Sequence, residues 1–323
     1  MDELNLKTLQ KPSVLIKAFS QDCRLRGMTE ESIRRYISSL KIFGKFLEKH
    51  GLSISDVNVN VFRDFLHYMI YERNAKHKTV KNYFSALSAF YDYLTFEGYI
   101  SSNIVLPFRK RYLKRYKDGY DDPERRLLSV EEMSCLVNSI LDPRDKAIAL
   151  LLAKTGMRRG ELLRLDVKDI NWMEYAITLK PTPKRSNRTV FFDDECAVAL
   201  RRWLKVRETL NPPTNALFIS YQSLRRLDRN GLYTTIVKYA KRLGFHNPDS
   251  PKLEDHFGPH CFRHWFTTWL LRNGMPREYL KELRGDRRKE AIDIYYHIDK
   301  QELRKKYLAN ATAEIVAITH LWY

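Results

Sequence analysis

Cysteine is scarce and scattered: Cys23, Cys135, Cys196 and Cys261 are the only four in 323 residues, and no two form a Cys-x-x-Cys pair. That spacing supports neither a zinc knuckle nor a disulfide framework. It reads instead as reduced, mostly buried small side chains. Long apolar runs are missing too. No stretch approaches the ~18 residues that cross a bilayer, and Met1-Asp2-Glu3-Leu4-Asn5 lacks the basic start and apolar core of a secretory signal. Acidic residues are in deficit, with 39 Asp and Glu against 57 Lys and Arg, a formal net charge of +18. The expected partner is a polyanion, nucleic acid ahead of an anionic membrane surface. A cytoplasmic location on nucleic acid follows as the expectation. Internal repeats and low-complexity segments are also absent.

What is present suits a globular protein. The hydrophobic fraction is 44%, ordinary for folded domains, and the length allows two of them. From residue 13 to about 100 apolar residues recur at helical spacing. Ile33, Tyr36, Ile37, Leu40, Phe43, Phe46 and Leu47 make one face at steps of three and four. Ser55 or Asp56 is placed to cap a third helix through Val61, Phe62, Phe65, Leu66 and Met69. A fourth runs from His77 to Glu97, burying Tyr83, Leu87, Phe90, Tyr91 and Leu94 before Gly98 stops it. Four short helices with short connections predict a bundle.

After Pro107 the composition changes. Phe108 to Lys117 holds Arg109, Lys110, Arg111, Lys114, Arg115 and Lys117, and Asp118-Gly119 and Asp121-Asp122-Pro123 follow as breakers. The reading is a basic linker over 109–124 whose six cations track phosphates as well as tether. The divisions are then 1–108, the linker, 125–310 and a tail over 311–323. The second domain opens on a capping box, Ser129 with Glu132. A helix capped by Asp142-Pro143 runs to Gly156, and two short strands, Tyr175 to Lys180 and Arg188 to Phe192, flank a basic turn. Helical pattern resumes at Asp193 and breaks at Asn211-Pro212-Pro213.

Three short segments carry the chemistry. In Thr155-Gly156-Met157-Arg158-Arg159-Gly160-Glu161-Leu162, Arg158 follows the glycine that ends one helix and starts the next. Free amides at a helix N-terminus favour an anion, a guanidinium can hold two phosphate oxygens, and Glu161 one turn on can orient it. In His260-Cys261-Phe262-Arg263-His264, His260 and Arg263 share a face of a helix beginning at Pro259. Phe262, Trp265, Phe266, Trp269 and Leu270 anchor its other side. A metal reading of His256, His260 and His264 lacks the glutamate of the zinc-protease pattern, since Cys261 holds that position. The third segment is Asp293-Ile294-Tyr295-Tyr296-His297. Two arginines, a histidine and a late tyrosine on a basic chain suggest a phosphate held for tyrosine attack.

Thr-Gly-x-Arg-x-x-Glu-Leu, then His-x-x-Arg-His, then a glycine motif and a tyrosine resembles the tyrosine recombinases, the phage-integrase-like family, across nearly the whole chain. The resemblance implies a mainly α protein: a four-helix SAM-like core-binding domain, then an α+β catalytic domain with a small antiparallel sheet, closing as a C-shaped clamp on double-stranded DNA. It implies site-specific recombination through a 3′-phosphotyrosyl intermediate with no metal or other cofactor. Carried onto this sequence, Arg158 and Arg263 balance charge on the phosphate, His260 assists, and Tyr295 is the nucleophile ahead of its neighbour Tyr296. The hairpin lysine that acts as general acid falls on Lys184, with Lys180 as the other candidate. The resemblance also implies a homotetramer on DNA, with accessory DNA-bending proteins as further partners. A tail carrying Leu303, Tyr307, Leu308, Ile315, Val316 and Ile318 either docks on a neighbour or packs on its own chain.

One departure stands out. The family carries Leu-Gly-His nine residues before the nucleophile, and this chain has Leu283-Arg284-Gly285-Asp286. An ionised aspartate cannot donate to a phosphate, so Asp286 is expected to orient an arginine such as Arg263 or Arg284. In this respect the chain is similar to archaeal and mobile-element integrases. Two other readings remain: a type IB topoisomerase-like relaxing enzyme, separable by relaxation of plasmid without a target site, and a non-catalytic sequence-specific DNA-binding protein, separable by the absence of a covalent adduct.

Overall fold

The computed structural model describes residues 12–114, 126–181, 188–286, 298–311 and 315. Its contacts fall into two units, Met1–Tyr120 and Asp121–Tyr323. Among the described residues the first holds five helices: α1 (Pro12–Leu25), α2 (Glu30–Lys49), α3 (Val59–His67), α4 (His77–Phe96) and α5 (Val105–Tyr112). Thr29 caps α2 by accepting from Ser32 N, and Gly98, at φ +75°, lets the chain turn after α4.

Two sequence expectations change here. The cap of α3 is Asn58, whose side chain accepts from Asn60 N at 2.8 Å and Val61 N at 3.3 Å. Asp56 instead accepts from Ser53 N within a separate 3-10 turn, Ile54–Asp56. The expected linker begins as helix: Phe108 is buried and stacks on Phe84 with ring centroids 5.2 Å apart. The helix α5 runs across the expected division at 108/109, and Pro107 lies in its first turn, where its missing N–H costs no hydrogen bond. Arg109 donates to Ser85 Oγ at 3.1 Å, while Lys110, Arg111 and Lys114 are exposed. Arg115 and Lys117 lie outside the described residues.

The second unit is built on α7 (Pro143–Thr155), buried nearly all round, after α6 (Val130–Asn138). The one-turn α8 (Arg159–Leu162) leads to a three-stranded antiparallel sheet of β1 (Ile170–Asn171), β2 (Ala176–Leu179) and β3 (Arg188–Phe191), in that order. Ala176 pairs with Phe191 and Leu179 with Arg188, a register that sets Arg188 beside the end of β2. Helices α9 (Asp194–Thr209), α10 (Arg229–Arg242), α11 (Pro259–Arg272), α12 (Arg277–Arg284) and α13 (Lys300–Asn310) complete the unit. One cluster places Phe191 of the sheet with Phe266 and Leu270 of α11, Leu280 and Leu283 of α12, and Leu303 and Tyr307 of α13. It is the floor beneath the site.

The tail packs on its own chain where it is described. Leu303, Tyr307 and Ile315 are buried, Tyr307 Oη donates to Lys154 O at 2.9 Å, and Ile315 N donates to Glu195 Oε2 at 3.2 Å. Leu308 stays 40% exposed, and Val316 and Ile318 lie outside the described residues. Among the described residues no helix is long and apolar enough to cross a membrane.

Candidate active site

The site is assembled by two glycines that turn the chain in the left-handed region. Gly156, at φ +57°, ends α7 and sends Met157 into the core and Arg158 outward. A Cβ at Gly156 would meet the Phe266 ring of α11 at 2.2 Å, so this glycine also permits the approach of α11. Gly285, at φ +59°, ends α12, and a Cβ there would lie 2.8 Å from the Arg188 side chain. Each close approach brings an arginine into the same small volume.

Arg158 uses its fork on three acceptors. Nη1 donates to Arg284 O at 2.9 Å, and Nη2 lies 3.4 Å from Asp286 Oδ1. Its backbone N–H donates to Glu161 Oε2 at 2.6 Å. The helix start expected to receive an external anion is therefore filled by the chain's own carboxylate. Glu161 does touch the Arg158 guanidinium, at 3.3 Å, but its main partner is Arg188, whose Nη1 and Nη2 donate to the two carboxylate oxygens at 2.7 and 2.8 Å. Arg188 Nε donates to Leu283 O at 2.9 Å, tying β3 to α12. Arg188 was not singled out from the sequence. Its only signal there was an arginine opening a short strand, which is common.

Arg263 lies on α11 and is 4% exposed. Nη1 donates to Gly156 O at 2.8 Å, and Nη2 donates to Arg284 O at 2.8 Å and to Asp286 Oδ1 at 3.2 Å. Burial pushes its pKa down to about 10, the nearby Arg284 adds to the fall, and Asp286 opposes it. It remains charged at neutral pH. His260 sits one turn before it but is exposed, its ring 4.9 Å from that of His264 and nearly perpendicular. Among the described residues no three His, Cys, Asp or Glu side chains gather closely enough to share a metal.

The lysines and tyrosines divide differently. Lys180 Nζ donates to Arg164 O at 3.0 Å and is neutralised by Asp166 and Asp169 on the loop before β1. Lys184, Tyr295 and Tyr296 lie outside the described residues. What the described residues bring together is a cluster of four guanidiniums (Arg158, Arg188, Arg263, Arg284) and two carboxylates (Glu161, Asp286). Glu161 is saturated by Arg188. The surplus positive charge therefore lies on the Arg158, Arg263 and Arg284 side, where charge-assisted hydrogen bonds to an anion are strongest.

Comparison with known proteins agrees with this chemistry. Residues 126–302 match the phage integrase family, and residues 15–98 match the phage integrase N-terminal SAM-like domain. The chain is 31% identical over 288 residues to tyrosine recombinase XerC of Oceanobacillus iheyensis, covering 86% of this chain and 88% of that one. It is 28% identical to XerC of Haemophilus influenzae, covering 87% and 91%. In fold it is similar to the XerH site-specific recombinase bound to difH substrate, with a TM-score of 0.62 and 22% identity over 91% of this chain and 82% of that one. It is also similar to the Tn1549 transposon integrase in complex with circular intermediate DNA, with a TM-score of 0.65 and 18% identity over 90% and 98%. Sequence, fold and site together define an enzyme that breaks and rejoins DNA strands by transesterification. The chain belongs to the phage integrase family, the tyrosine recombinases.

Proposed function

We propose that this recombinase holds the scissile phosphate of double-stranded DNA on Arg158 and Arg263 while Tyr295 attacks it. The observation that carries the reading is the shared oxygen: guanidiniums from two distant segments both reach Asp286 Oδ1, at 3.4 and 3.2 Å. Two cations converging on one anionic oxygen are arranged as a non-bridging phosphate oxygen needs. The Tyr295 oxygen forms the bond to phosphorus, the 5′-oxygen of the next nucleotide leaves, and Lys184 gives that oxygen its proton. His260 assists removal of the tyrosine proton. The 3′-phosphotyrosyl bond then yields to a 5′-hydroxyl from the partner strand, which returns Tyr295. Arginines supply the charge stabilisation, and the bond energy is conserved in the covalent intermediate. Four protomers assemble on two DNA sites, with accessory bending proteins where the sites require them.

The test is a pool of nicked duplexes with randomised cores. On a duplex containing the target site the 5′-hydroxyl fragment diffuses away and the protein stays attached through an SDS-stable bond. Mass spectrometry is expected to find the nucleotide on Tyr295. Attachment to Tyr296, or no adduct from any duplex, would overturn the assignment. Binding to a recovered duplex is expected to fall steeply with salt, by roughly 10³-fold or more between 50 and 200 mM if six phosphates are neutralised. A flat salt dependence in a filter-binding titration would contradict DNA phosphate contacts by the basic residues.

A further inference from the structure

The seat that Arg158 and Arg263 form is already occupied by the chain itself. Asp286 Oδ1 takes the position that both guanidiniums share, and Arg284 O takes a second donor from each. A carboxylate and a phosphodiester carry the same sign, so the two cannot use these donors together without strong repulsion. Free of any competing anion, the carboxylate has a clear role: it keeps three guanidiniums close that would otherwise repel.

A second observation shows where the carboxylate can go. Arg284 Nε is buried and has no hydrogen-bond partner among the described residues, although Asp286 Oδ2 lies only 2.9 Å away. The contact is an ion pair with its N–H aimed elsewhere. A buried N–H without an acceptor is unfavourable, so a small shift of the carboxylate that meets this donor is stabilising. The Asp286 side chain is 32% exposed, so packing does not lock it.

We infer that Asp286 Oδ1 is an internal anion seated in the phosphate position, and that a DNA phosphate displaces it from Arg158 and Arg263, leaving the carboxylate on Arg284 alone. The inference rests on Arg158 and Arg263 being the phosphate ligands. It makes Asp286 a specificity-determining residue: a small free anion must pay the displacement alone, whereas a DNA strand brings many further backbone contacts to offset it. The site therefore discriminates against inorganic phosphate and in favour of a phosphate presented within a duplex.

Calorimetric titration of the full chain with inorganic phosphate tests this directly. Asp286→Asn keeps the shape and an oxygen acceptor for the arginines, removes the charge, and adds an N–H that can donate to phosphate. Its dissociation constant for phosphate is expected to fall roughly tenfold, the scale of one unit charge a few ångströms away in a half-exposed site. Adduct formation on a recovered nicked duplex should rise as well, more at subsaturating than at saturating DNA. No gain in phosphate binding by a folded Asp286→Asn protein, including no detectable binding, overturns the inference. Arg284→Ala provides the second arm: it should weaken phosphate binding more when Asp286 is present than in the Asp286→Asn background. An equal loss in both backgrounds would rule out Arg284 as the destination. If Arg158→Ala leaves phosphate binding by the Asp286→Asn protein intact, the error lies in the assignment of the seat to the arginines and not in the displacement.

Discussion

Arg263→Ala is expected to slow covalent adduct formation by about 10²–10³-fold, the range for losing one charge-stabilising donor aimed at a transition state. The side chain is 4% exposed and engages Gly156 O, Arg284 O and Asp286. The two backbone carbonyls therefore hold the guanidinium in place, and only the Asp286 carboxylate has to give way to the phosphate. Removing it also takes the donor from Gly156 O, which costs about 1–3 kcal/mol, while Arg284 O keeps its bond from Arg158 Nη1. Thermal unfolding must accompany the rate measurement to separate the two losses. Arg263→Lys should restore the charge but not the fork, recovering only part of the rate. A folded Arg263→Ala protein that forms adduct within tenfold of the wild type would remove Arg263 from the phosphate site.

Lys154→Met is expected to destabilise the second unit by about 3–5 kcal/mol, the usual cost of stripping one partner from a buried ion pair. Lys154 is 4% exposed at the end of α7, with Nζ 2.6 Å from Asp193 Oδ2 and 2.7 Å from Glu195 Oε2. The carboxylates are not otherwise idle. Asp193 caps α9 by accepting from Cys196 N, and Glu195 accepts from Ile315 N. Loss of the ammonium leaves two negative charges facing each other beneath the segment that carries Arg158. In a unit of this size the melting temperature should fall on the order of 10 °C, and adding Glu195→Gln should recover part of it. A fall under about 2 °C would show that the cluster is solvated rather than buried. Burial alone would lower the Lys154 pKa, but the two carboxylates outweigh it and raise it above the ordinary lysine value. Its stabilisation is thus complete below the unfolded-state lysine pKa and is lost only as pH rises through the still higher folded value. The contribution should be flat across neutral pH.

The legible part of the fold was the part set by short-range pattern. The face from Ile33 to Leu47 became α2, and the strands on either side of the basic turn became β2 and β3. Errors arose where one residue type serves two local structures. A run of cations such as Arg109, Lys110 and Arg111 suits a linker and the exposed face of a helix alike, and the burial of Phe108 against Phe84 shows that here it begins as helix. Asp56 and Asn58 are both good caps, and the backbone turn at Ile54–Asp56 decides between them.

In the site, the order of the motifs pointed to Arg158, Glu161, His260 and Arg263, and the described residues bring Arg158, Glu161 and Arg263 together while His260 stays exposed. Arg188 was invisible: its value comes from facing Glu161 across 27 residues and Leu283 across 95. The departure at Asp286 could be seen as a missing donor, but its simultaneous contact with Arg158, Arg263 and Arg284 could not.

The linear chain by itself determined the charge, the helical periodicity and the motif order, since these depend on neighbours within a few residues. Only the folded chain decided which guanidiniums share an oxygen and which carboxylate answers them. Charges interact through space at distances of three to four ångströms, and no spacing rule in one dimension reports that separation when the partners lie a hundred residues apart.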